Sequence, residues 1–163
     1  MRTALEQHLG SRQVGKVVYG SIIGLALVVA LQAHPPGAGT VAVLLAGTAV
    51  AVGLAEVYSE TVGLETSTRR PVTRGQFGHM VDDAAAVAFG VAFPALFFLL
   101  AALGLMAEGT AFSVAKWTGL GLIGFYGFWA ARFAGASPQR ALLKGALVAL
   151  IGAALIALKA LVH

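Results

Sequence analysis

Five uninterrupted apolar stretches, near residues 17–33, 41–60, 84–106, 111–131 and 141–161, leave this chain few ways to fold. Each approaches the ~20 residues a helix needs to cross a hydrocarbon core of about 30 Å. Lipid offers no partner to backbone N–H and C=O groups, which restricts crossing segments to helices and closed barrels. The runs of Leu, Ala and Val lack the alternation of barrel strands. Composition agrees. With 58% hydrophobic and 11% charged residues, the chain has less than half the roughly one-quarter charge share of soluble domains. The sequence therefore predicts an all-α, polytopic membrane protein: a single membrane domain over residues 1–163 with five transmembrane helices. Residues 1–16 are expected to form an interfacial segment, with Leu5, Leu9 and Val14 on one helical face.

The links have their own chemistry. His34-Pro35-Pro36-Gly37 cannot continue a helix and separates the first two spans. Ala107-Glu108-Gly109-Thr110 reads as a four-residue turn that makes the third and fourth spans antiparallel neighbours. Arg2, Arg12 and Lys16 precede the first span; Arg69, Arg70 and Arg74 follow the second; Arg132, Arg140 and Lys144 bracket the last link. Nine of the eleven basic residues thus fall on one side of a five-span thread. The positive-inside rule makes that side cytoplasmic, with the N-terminus inside and the C-terminus outside a plasma or inner membrane. The high pI of 9.9 follows from bases that flank spans and meet anionic headgroups, so nucleic acid is not an expected partner.

Small residues mark where helices approach closely in lipid. Gly20 and Gly24 form a GxxxG element in the first span, Gly47, Ala51 and Ala55 a stripe in the second, and Gly119, Gly121, Gly124 and Gly127 enrich the fourth. They serve packing within one chain or a dimer seam. Pro94 lacks an N–H and should kink the third span beside Phe93 and Phe97.

Ionisable groups near a bilayer are costly and need a reason to be there. Glu56 and Glu60, four residues apart, share a helical face near Tyr58 and Ser59. Two like charges so placed require a proton, a cation or a basic group between them. Their hard oxygens suit Fe²⁺, Mn²⁺ or Mg²⁺; the alternative is pairing with Arg69, Arg70 or Arg74. His79, Asp82 and Asp83 precede the third span, at a spacing that lets His79 and Asp83 hold one metal ion. The simpler account is that Asp82 or Asp83 caps that helix. Lys116 with Trp117, and Tyr126 and Trp129 with Arg132, read as interfacial anchors. No cysteine is present, and no phosphate loop, nucleophile–base pair or zinc spacing appears, so enzymatic activity is not expected.

The chain from Val14 onward resembles the vacuolar iron transporter family. Val18-Tyr19-Gly20-Ser21 with Gly24-Leu25 is similar to that family's first-span entry, and Gly53-Leu54-Ala55-Glu56-Val57-Tyr58-Ser59 to its second-span signature. Phe89-Gly90 through Pro94 resembles the third span. Gly127-Phe128-Trp129, Arg140 through Gly145 and Ile151-Gly152-Ala153 resemble the closing pair. The resemblance implies a homodimer with a cation path at the subunit interface, built from the first spans, and proton-coupled export of Fe²⁺ or Mn²⁺ from the cytosol. Three positions depart from the pattern. Ile22-Ile23 replaces the first-span Asn-Asp, Val52 stands near the second-span methionine, and the metal-binding insert is reduced to residues 65–83. Two functions follow as expectations. One is divalent metal transport with Glu56, Glu60, His79 and Asp83 as ligands, no covalently bound cofactor, and Tyr58, Ser59, Gly20, Gly24 and Pro94 shaping path or interface. The other is a non-transporting structural or accessory subunit with a membrane-protein partner.

Overall fold

The computed structural model describes residues 13–162, and among them every regular element is helical. The six helices are α1 (Gln13–Leu31), α2 (Ala38–Thr68), α3 (Arg74–Ala92), α4 (Ala95–Ala102), α5 (Glu108–Phe133) and α6 (Pro138–Val162). Two, α1 and α2, are long and apolar enough to cross a membrane, and the bent pair α3 and α4 makes a third if it acts as one span. Residues 1–12 of the expected interfacial segment lie outside the described residues, while Val14 and Lys16 belong to α1.

α1 is the central element, packed on α3, α5 and α6, whereas α2 sits at the edge against α3 and α4. The core divides by depth. Val28 of α1, Val41 and Leu45 of α2, Phe98 of α4 and Phe112 of α5 close one end, with the Phe98 and Phe112 rings edge to face at 4.7 Å. Leu25, Val29 and Ile123, backed by Val148 and Ile156 of α6, fill the middle.

Glycine decides how closely α1 and α3 approach. A Cβ on Gly20 would lie 2.0 Å from the Val87 carbonyl oxygen, and one on Gly24 would lie 2.9 Å from that of Val91. Gly90 answers from α3, where a Cβ would sit 2.5 Å from the Val17 carbonyl oxygen. The Gly20–Gly24 element is thus consumed inside the chain. Between α5 and α6 the tight position is Gly145, where a Cβ would lie 2.9 Å from the Gly124 carbonyl oxygen, while Gly47 and Gly121 face open space.

The links correct several expectations. The Pro35-Pro36 break is as expected, with Gly37 at φ 89° preceding α2. Pro94 does break the third span, and α3 and α4 meet at 46°. That span begins ten residues earlier than expected, at Arg74, because Thr73 caps α3: its hydroxyl accepts from the Gln76 N–H, and the Gln76 side chain accepts from the Thr73 N–H. Asp82 and Asp83 therefore lie inside the helix and cap nothing. The turn before α5 covers residues 103–107, not 107–110: Gly104 adopts φ 76°, and Glu108 already opens the helix. α2 continues past Glu60 to Thr68, where Arg69 takes a left-handed φ of 54° and ends it.

Candidate functional site

The two carboxylates of α2 face inward. Glu56 and Glu60 lie one turn apart, and the ammonium of Lys16, entering from the first turn of α1, stands between them. Lys16 Nζ donates to Glu56 Oε1 and to Glu60 Oε1, the latter at 2.6 Å. All three side chains are about four-fifths buried, at 23%, 18% and 26% exposure. The like-charge repulsion expected for this pair is therefore relieved by a lysine, and not by Arg69, Arg70 or Arg74. Reach explains the choice: α1 brings Lys16 to the level of Glu56 and Glu60, while Arg69 and Arg70 follow the end of α2 and Arg74 opens α3.

The cluster has local support. Thr61 Oγ1 donates to the Val57 carbonyl at 2.7 Å and lies 3.5 Å from Met80 Sδ, a buried side chain of α3. This fixes the face of α2 that meets α3. One lysine against two carboxylates leaves a formal charge of −1, so a single lysine does not fully neutralise the cluster.

A second polar space adjoins it. Glu60, His79 and Asp83 line a cleft of about 490 Å³ between α2 and α3, together with Ser67, Gln76 and Met80. Three of the four expected metal ligands thus share one cleft, and Glu56 is turned to Lys16. Among the described residues, no three His, Asp or Glu side chains are disposed to hold a metal ion together. Tyr58 and Ser59 do not join the cluster. Tyr58 is 73% exposed on the outer face of α2, and Ser59 is exposed as well. Gly20 and Gly24 serve the α1–α3 seam and Pro94 the bend, as described above. Ser21 in α1, 2% exposed, carries a hydroxyl with no hydrogen-bond partner among the described residues.

Lys16 is the member of the cluster hardest to see in sequence. As one of three bases before the first span, it reads as a headgroup contact. The available signal was its place at the edge of an apolar run, which puts its amine at the depth of an unpaired acid on a neighbouring helix.

Comparison of the chain with family models, curated proteins and solved structures finds no match.

Proposed function

We propose that the chain is an integral membrane protein that crosses the bilayer five times, its basic ends cytoplasmic, and acts as a non-transporting structural or accessory subunit. The membrane reading is supported by outward apolar side chains. Val43, Leu44, Val50, Leu54, Tyr58 and Val62 form an exposed track along α2. From Val43 to Val62 it is about 29 Å long at the rise of an α-helix, which matches a hydrocarbon core of about 30 Å. α5 and α6, at 26 and 25 residues, have the length of a fourth and fifth crossing, although by length and composition together only α1, α2 and the bent pair qualify among the described residues.

The observation that carries the functional reading is the position of Lys16. A tethered ammonium holds the space between Glu56 and Glu60 that a divalent cation would need, and Ile22 and Ile23 offer no carboxylate further along α1. A cation entering there must displace a lysine it repels. The cluster then works as an internal tie between α1 and the edge helix α2. A second reading, proton-coupled movement of Fe²⁺ or Mn²⁺, is favoured by the cleft that gathers Glu60, His79 and Asp83. Mn²⁺ uptake by proteoliposomes separates the two. Flux equal to that of empty vesicles supports the structural role; saturable flux lost in Glu56→Gln overturns it and supports transport.

A further inference from the structure

On the outer side of the bundle, α2 and α3 are separated by an open groove of about 500 Å³. Its floor is made of small residues, Gly53, Ala84 and Ala88, and its walls of Tyr58, Phe77 and Val81. The walls are exposed, Phe77 at 49% and Val81 at 44%, so the groove opens sideways, where the membrane reading places acyl chains.

Charge sits at one end of it. Arg74, Phe77, Val81 and Ala88 are spaced i, i+3, i+7 and i+14, which sets them on one face of α3 with Arg74 a turn beyond the last aromatic wall residue. Arg69 and Arg70 stand exposed in the adjoining α2–α3 hairpin. Among the described residues, none of these three guanidiniums makes a hydrogen bond or ion pair. The acid of the hairpin, Glu65, accepts from the Val72 N–H at 3.3 Å, so three positive groups face one carboxylate. Asp82 and Asp83 point elsewhere: Asp83 lines the polar cleft, and Asp82 a separate pocket with Gln13 and Tyr126. Depth fits too. The apolar track of α2 ends at Val62, and Arg69 follows about 10 Å higher by helical rise, within a side chain's reach of the headgroup layer.

We infer that this groove binds an anionic phospholipid, one acyl chain lying between α2 and α3 and the phosphate held by Arg69, Arg70 and Arg74. An apolar slot alone takes any lipid chain; unpaired arginines at its mouth select a negative headgroup. The inference rests on the membrane reading above, but not on whether the protein transports ions.

The test uses the full chain in nanodiscs of equal phosphatidylglycerol and phosphatidylcholine with matched acyl chains, and counts retained lipid by native mass spectrometry. Wild-type protein is expected to retain phosphatidylglycerol in preference. Arg74→Gln should lower that preference roughly fivefold, and the triple change R69Q/R70Q/R74Q on the order of a hundredfold. Ala85→Phe, at an exposed groove position, should reduce retention with all arginines in place. Equal retention of the two lipids by wild type, or an unchanged preference in the triple variant, overturns the site. Full retention in Ala85→Phe overturns the groove's part in it. Alkaline extraction of the same protein from membranes tests insertion separately: release into the soluble fraction overturns the membrane reading, whereas firm insertion without lipid preference overturns this inference alone.

Discussion

Replacing Gly20 by alanine should damage the protein far more than such a small change does elsewhere in it. The added methyl would sit 2.0 Å from the Val87 carbonyl oxygen and 2.9 Å from the Val87 carbonyl carbon. Both belong to backbone, so no side-chain rotation relieves the clash, and α1 and α3 must separate by more than 1 Å. That separation loosens Gly24 against Val91 and Gly90 against Val17 as well, since all lie on one seam. Overpacking of this kind costs up to about 3 kcal/mol, offset by about 1 kcal/mol gained on replacing a helical glycine with alanine. The net loss is about 2 kcal/mol, a fall in melting temperature of roughly 4–8 °C for a chain of this size. Gly121→Ala is the control: its Cβ meets nothing within 4 Å, so only the propensity gain remains. Thermal unfolding in detergent, followed by the fluorescence of Trp117 and Trp129, measures both. Equal melting of Gly20→Ala and wild type would refute the close α1–α3 approach.

Lys16→Met should cost about 2 kcal/mol, because two partly buried carboxylates lose their counter-charge, and the added change Glu56→Gln should recover part of it; a double-mutant cycle by thermal unfolding reads the coupling. Thr73→Ala should cost about 1 kcal/mol by removing the α3 cap, seen as a lower melting temperature. Arg69→Gly should stabilise α2 by roughly 1 kcal/mol, since glycine takes a left-handed φ without strain, while weakening the preference for phosphatidylglycerol in the nanodisc assay.

Much of the helical layout is legible in the sequence, because the apolar runs and the Pro35-Pro36 and Pro94 breaks are local features. Hydropathy could not find the polar ends of helices. α3 starts ten residues before its apolar run because a Thr73–Gln76 capping box begins it, and that Thr-x-x-Gln signal is readable once sought. α2 outlasts its apolar run by eight residues and stops only where Arg69 turns left-handed, a polar stretch that hydropathy does not register. At the site, the spacing of Glu56 and Glu60 left three ways to relieve their repulsion: a proton, a cation or a basic group. Which partner depended on how α1 and α2 align in depth, a tertiary fact that no local pattern carries. The role of the Gly20–Gly24 element was undecided for the same reason: only the position of Gly90 on a third segment shows that the seam is internal.

Zero-length carbodiimide coupling, read by peptide mass spectrometry, tests most directly whether Lys16 holds the place of a cation. An amide joining Lys16 to Glu56 or Glu60, formed equally with and without excess Mn²⁺, is the predicted result. Absence of that cross-link, or its suppression by Mn²⁺, would contradict the account and return the two carboxylates to a metal.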